Sequence, residues 1–386
     1  MSGARSRGGG RSRVPPQAAP GGRHAPSAAD VVERRKAEHL RVVATGDVAG
    51  RTGPGWSDVH LVHHALPVTD LPAVDLSTVF LGHRLRAPLV VAAMTGGHDS
   101  AGKVNAILAG AAERHGVAMG LGSQRAALRN PGLARTYAVA RESAPSAFLI
   151  ANIGAAQLVP QDSGPPLTPD QVSEAVAMIR GDALAIHFNF LEEIVQPEGD
   201  RRATGLREAI AGVVASIGVP AIAKETGAGL SRQAAHELRR LGVRALDVGG
   251  LGGTSFAAVE TIRAQARGDI RGAALGTVYR DWGIPTAVSV VAARAAGLPI
   301  IATGGIRTGL DAAKAIALGA SLVGIARPLL VAALKGPAAV EAWIGQFLEE
   351  LRAAVFLTGG KRVDDLRSVP RAIVGDTRRW VDALEG

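Results

Sequence analysis

The chain contains no cysteine in its 386 residues. That excludes a disulfide framework, a thiolate nucleophile and a cysteine-type zinc centre, and it fits a reducing compartment. No uncharged apolar run reaches the ~18 residues of a membrane span. The first 29 residues carry no acid and lack the apolar stretch of a secretory signal, so a soluble, cytoplasmic protein without membrane contact is expected. Aromatic residues are scarce as well, at 3% of the chain.

The acid-free segment does carry Arg5, Arg7, Arg11, Arg13 and Arg23, five of the nine net positive charges. With "RSRGGGRSR" and "PPQAAPGG" it has too few apolar groups to offset the entropy of ordering, and residues 1–29 are expected to be a disordered tail. Such a tail could touch nucleic acid or an anionic surface, or could simply be a solvated extension. It has no interleaved aromatics, so nucleic acid is not expected as a partner.

The remainder, residues 30–386, is rich enough in apolar residues, 47% over the chain, for a full hydrophobic core. A charged helical stretch, "DVVERRKAEHLRVVA", leads into a Gly- and Pro-bearing segment that runs to about Ala87. From there eight apolar runs of strand length recur between about residues 88 and 328: "PLVVAAM", "GVAMGLG", "AFLIANIG", "ALAIHFN", "PAIAKE", "RALDVGG", "PIIATGG" and "SLVGIARP". Segments of helical period separate most of them, for example "SRQAAHELRRLG". The runs are continuous rather than alternating, so both faces of the sheet are expected to be buried under helices. The expected fold is therefore an α/β, single-domain (β/α)8 TIM barrel, with a doubly wound open sheet as the structural rival.

Each run ends in small or chemically capable residues: "MTGG", "GSQR", "NIG", "HFN", "KE", "GGLGGTS", "GGIRTG" and "ARP". In a barrel these ends share the C-terminal rim, where active sites are built. The glycine turns after the seventh and eighth runs occupy the usual phosphate-binding place, with ordinary tight turns as the bland alternative. A phosphorylated cofactor such as FMN would fit there. Lys224 and Thr254 would then face it, with Thr95 and Asn152 opposite. A salt bridge from Lys224 to Glu225 is the competing reading for that lysine.

These motifs, together with "RKAEHL", "HHALP", "PEGDR", "KETGAGLS", "DWGIPT", "GGIRTGLDAAKAIALGA" and "FLTGGK", resemble the type 2, FMN-dependent isopentenyl diphosphate isomerases from Arg35 to about Val369. The resemblance implies FMN contacts at Met94, Thr95, Gly96, Ser123, Asn152, Lys224, Thr254, Gly304, Gly305, Ile306, Arg307, Ala326 and Arg327. It implies that a prenyl diphosphate is held by Arg35 and Lys36 of an N-terminal helical segment, and by Ser123, Gln124, Arg125 and His187. Mg2+ would bind through Glu193 and the diphosphate. Catalytic roles fall to His187, Asn189 and the residue at position 192. The reaction implied interconverts isopentenyl and dimethylallyl diphosphate by a 1,3-allylic proton shift with no net redox change; NADPH serves only to reduce the flavin. A homo-oligomer, a tetramer or larger, is also implied.

One position departs from the family pattern of Asn, two residues, Gln, Glu. Here the run is Asn189, Phe190, Leu191, Glu192, Glu193, so an uncharged amide has become a titratable carboxyl. Either Glu192 is tolerated and the isomerase reaction is kept, or a protonated Glu192 acts as a stronger acid that protonates or cyclises a longer prenyl diphosphate. Retention of the other motifs favours the first, and the scarcity of aromatics argues against a large cation-lined cavity. A lower alternative is an FMN-dependent oxidoreductase on the same barrel. Inosine monophosphate dehydrogenases need a cysteine that is absent, and the 2-hydroxy acid oxidases need a His and Arg pair presented to a carboxylate. His63, His64 and His98 read best as structural or surface residues, and Asp311 as a first-turn residue of a helix.

Overall fold

The computed structural model describes Gly3, Glu38 and residues 41–385. The Arg-rich tail, apart from Gly3, lies outside the described residues, as do Arg35 and Lys36. Eight parallel strands close into a barrel: β1 Leu89–Val91, β2 Ala118–Gly120, β3 Leu149–Gly154, β4 Ala183–Phe188, β5 Ala221–Glu225, β6 Ala245–Asp247, β7 Ile300–Thr303 and β8 Leu322–Ile325. Each strand pairs with its neighbours in sequence, and β8 closes onto β1 with Val323, Gly324 and Ile325 opposite Leu89, Val90 and Val91. The eight apolar runs are these eight strands. The open-sheet rival is excluded by the closure.

Side chains alternate along every strand, and the barrel uses both phases. Leu89, Val91, Leu149, Ala151, Leu184, Ile186, Ala223, Leu246, Ala302 and Val323 pack outward against the helices. Val90, Ala118, Ile150, Ala183, Ala185, Ile222, Ala245, Ile301 and Leu322 form a second, internal cluster. Advancing two residues along the inward phase reaches Ala92, Gly120, Asn152, His187, Lys224, Asp247, Thr303 and Gly324. The interior is therefore apolar at its base and turns polar or minimal at the C-terminal rim.

The base is plugged. A hairpin of Thr78–Phe80 and His83–Leu85 contributes Phe80 and Leu85 to the internal cluster, and Phe80 meets Phe148 edge to face with ring centroids 5.9 Å apart. Its two-residue turn, Leu81 at φ 47° and Gly82 at φ 86°, has the doubly left-handed geometry that matches strand twist. With this end sealed, ligand access is from the rim.

Candidate active site

The rim opens into a cavity of about 260 Å³. Of the expected site residues, Met94, Thr95, Gly96, Ser123, Arg125, Asn152, His187, Asn189, Glu192, Glu193, Lys224, Thr254, Gly304, Gly305, Ile306, Arg307, Ala326 and Arg327 all line it. Gln124 does not. Its side chain is fully buried, donating to the Ala175 carbonyl at 2.6 Å and accepting from the Asn152 backbone N–H at 3.0 Å. The Gln124 side chain is thus a strut that fixes the end of β3. His63 and His64 are exposed and do not line the cavity, His98 is buried against Ser100 at 2.8 Å, and Asp311 closes a capping box with Thr308.

One wall of the cavity is backbone. Gly304 has φ 123° and Gly305 φ 68°, conformations that L side chains rarely adopt. A Cβ at Gly304 would lie 2.3 Å from the Gly250 carbonyl oxygen, and one at Gly324 would lie 2.0 Å from Thr303 Oγ1. The "DWGIPT" segment supports this wall from behind: Thr286 donates to the Leu251 carbonyl at 3.0 Å. Helices Gly309–Leu318 and Arg327–Lys335 begin at the same turns, and N-terminal N–H groups attract anions. The hydroxyls of Thr226 and Thr303 are shut off from solvent with no hydrogen-bond partner among the described residues, an arrangement that a polar ligand would relieve.

The floor is ionic. Lys224 Nζ lies 3.0 Å from Asp247 Oδ2, so the expected alternative, a bridge to the Glu225 carboxylate, is not formed. Adjacent strand residues point to opposite faces, whereas Lys224 and Asp247 are partners in the β5–β6 register and share the inward phase. Glu225 instead accepts the N–H groups of Ala228 at 2.6 Å and Gly229 at 3.0 Å. Burial pushes its carboxyl up to about 8, against the pull of those donors and of Lys224.

The opposite wall consists of polar side chains. His187 Nδ1 meets Asn152 Oδ1 at 2.7 Å; the amide oxygen can only accept, so Nδ1 carries the hydrogen. After β4 a short helix, Phe190–Val195, presents both glutamates. Asn189 Nδ2 donates to Glu192 Oε2 and to Glu193 Oε1, each at 3.0 Å. Gln196 Nε2 donates to Glu192 Oε1 at 2.8 Å and to Glu260 Oε1 at 3.0 Å. Glu260 ends on the buried guanidinium of Arg263, which also reaches Glu38 and Glu198. Two amides thus separate three buried carboxylates: each amide donates to two different ones, and Glu192 between them accepts from both.

The "PEGDR" loop then folds back on this helix. A Cβ at Gly199 would fall 1.8 Å from the Glu193 carbonyl oxygen, so only glycine permits the approach. The Asp200 N–H donates to Glu193 Oε2 at 2.8 Å, and Arg201 donates to the carbonyls of Glu193 and Gln196. Elsewhere on the rim Gly96 lies against the ring of Tyr137, whose hydroxyl donates to the Ser123 carbonyl at 2.7 Å and is raised far above its usual range by burial. Gln196, Asp200, Asp247 and Thr303 were not singled out from the sequence.

Comparison with known proteins bears on what this cavity serves. An isopentenyl-diphosphate delta-isomerase of Methanoregula boonei is 49% identical over 351 residues, which is 90% of this chain and 96% of that protein. The chain belongs to the isopentenyl-diphosphate delta-isomerase family. Other members include proteins of that name from Halobacterium salinarum, 47% identical over 91% of this chain and 96% of theirs, and from Archaeoglobus fulgidus, 45% identical over 90% and 98%. Residues 208–370 also match the FMN-dependent dehydrogenase family. Among solved structures, a mandelate oxidase variant with a monooxide FMN adduct aligns at a TM-score of 0.58 and 19% identity, over 90% of this chain and all of that one. A putative lactate oxidase of Pediococcus acidilactici aligns at 0.57 and 17%, over 90% and 94%. These two likenesses concern the fold. Among the described residues no helix is long and apolar enough to cross a membrane.

Proposed function

We propose that the protein is an FMN- and Mg2+-dependent isomerase that interconverts isopentenyl and dimethylallyl diphosphate by a 1,3-allylic proton shift. The observation that carries this reading is a single cavity with a glycine wall on one side and Arg125, His187, Asn189 and Glu193 on the other. The glycine wall fits FMN: its glycines leave no room for a Cβ, and Thr226 and Thr303 offer enclosed hydroxyls without partners among the described residues. Gly304, Gly305, Ala326 and Arg327 would take the phosphate on backbone N–H groups. Lys224, steadied by Asp247, and Asn152 would meet the ring, with Met94, Thr95, Gly96 and Thr254 around it. When bound, reduced FMN supplies a proton donor and an electron-rich surface beside the alkene.

The residues of the opposite wall hold the substrate. Arg125 and Ser123 bind the diphosphate, with Arg35 and Lys36 contributing from the segment outside the described residues. His187, with its Nδ1 hydrogen committed to Asn152, turns Nε2 to the same anion. Glu193 gives one ligand to Mg2+. No group of three metal-ligating side chains occurs among the described residues, which fits a cation that takes most of its oxygens from phosphate and water. Glu193 Oε1 accepts from Asn189 Nδ2 and Oε2 from the Asp200 N–H, which orients the carboxylate that would ligate the metal. Glu192 is gripped by the amides of Asn189 and Gln196 where the family carries glutamine; this supports a tolerated variant rather than a new acid. NADPH acts as reductant, and a cytoplasmic homo-oligomer remains part of the reading.

The test is stoichiometry. Under anaerobic conditions with FMN, Mg2+ and isopentenyl diphosphate, dimethylallyl diphosphate should accumulate far beyond the NADPH consumed. Product formation equal to NADPH consumed, or oxidation of a 2-hydroxy acid instead, would favour the oxidoreductase reading.

A further inference from the structure

Three loops of the rim meet at Asp200, which is 3% exposed. Its Oδ2 accepts from Arg125 Nη1 at 2.6 Å and its Oδ1 from Ser163 Oγ at 2.6 Å, while Arg125 Nη2 donates to Ser163 Oγ at 2.8 Å. The ring closes without a conflict: the serine hydroxyl accepts from the guanidinium and gives its one hydrogen to the carboxylate. Two of the five N–H bonds of Arg125 are used, and three remain for a ligand. The backbone N–H of the same aspartate holds Glu193 Oε2 at 2.8 Å. Arg125 and Glu193 both line the cavity, whereas Asp200 and Ser163 do not.

We infer that Asp200 is a positioning residue for the diphosphate: its carboxylate, with Ser163, locks the Arg125 fork into the cavity wall, while its main chain aligns the Glu193 carboxylate beside it. The inference rests on the proposed diphosphate-binding role of that wall. It makes a prediction of unusual sign. A carboxylate next to an anion site repels the anion, so if Asp200 acted by charge alone its neutralisation would tighten binding. If it acts by position, neutralisation frees a long, flexible side chain, and ordering that side chain again on the ligand weakens binding.

The experiment is calorimetric titration of the FMN-loaded protein with inorganic pyrophosphate and Mg2+, comparing wild type, Asp200→Asn and Ser163→Ala. Asp200→Asn should bind roughly 10-fold more weakly, the lower end of what losing a supporting partner costs. Ser163→Ala, which changes no charge and removes only one hydroxyl, should shift affinity in the same direction by less; it decides the matter if Asp200→Asn does not fold. In turnover the variants should raise KM for the prenyl diphosphate more than they lower kcat. Unchanged or tighter pyrophosphate binding by the variants, with wild-type binding intact, overturns the positioning role. Absence of binding by wild type removes the functional reading, and this inference with it.

Discussion

On one side of the cavity the turns at Gly253, Gly304 and Gly305 and the strand residue Gly324 contribute main chain; on the other, Arg125, His187, Asn189, Glu192 and Glu193 contribute polar side chains. The first wall is rigid because Gly304 and Gly305 adopt conformations closed to other residues and none of the four leaves space for a Cβ. The second is rigid because each functional group is held by another side chain or N–H donor, several of them from a different loop. The two constructions suit different tasks. Under the proposed function, main-chain N–H groups make a fixed, neutral cradle for the cofactor, whereas paired side chains can exchange partners when a charged substrate and its metal enter and leave.

The largest expected effect separates the walls outright. Gly304→Val places a branched side chain where even a Cβ would sit 2.3 Å from a carbonyl oxygen, so the purified variant should retain no flavin after desalting. Glu193→Gln, on the other wall, should keep its full flavin content yet lose more than about 100-fold in kcat/KM, beyond the usual cost of a supporting residue alone. Flavin loss in Glu193→Gln, or retention in Gly304→Val, would break the comparison.

Smaller changes sharpen it. Gln196→Leu removes one buried donor from each of Glu192 and Glu260, which keep Asn189 and Arg263; urea unfolding should show a loss of about 1–3 kcal/mol, the penalty for an acceptor stripped of a partner, with flavin content unchanged. Glu225, below the cradle, should show itself through pH. Its carboxyl rises from 4.5 to about 8 on folding, so the folded chain holds a proton that the unfolded chain releases between those values. This contribution is complete below pH 4.5, declines as pH rises and is lost above about 8. Relative to wild type, Glu225→Gln should therefore gain stability across that window; parallel pH profiles for the two proteins would contradict it.

The two walls also differ in how far the sequence reveals them. Eight apolar runs, their glycine turns and the polar residues at their ends are local patterns, and each lies where the chain order puts it. The side-chain wall depends on contacts between distant loops. Arg125 and Asp200 are 75 residues apart, and no local pattern couples them. Gln124 and Arg125 are adjacent, yet one turns inward to brace β3 and the other faces the cavity, because Gln124 stands at the start of the short helix Arg125–Arg129. The partner of Lys224 was legible in principle. Strand alternation forbids pairing with Glu225 on the inward face and directs attention to Asp247, which sits two residues beyond Ala245 on the next strand.

The most direct test of the account is anaerobic conversion of isopentenyl diphosphate by wild type beside Glu192→Gln, with FMN, NADPH and Mg2+ present. If the site is an isomerase site that tolerates a carboxylate at position 192, wild type forms dimethylallyl diphosphate at a rate comparable to the variant. An inert wild type whose activity appears only on Glu192→Gln would contradict this and redirect the search to longer prenyl diphosphates.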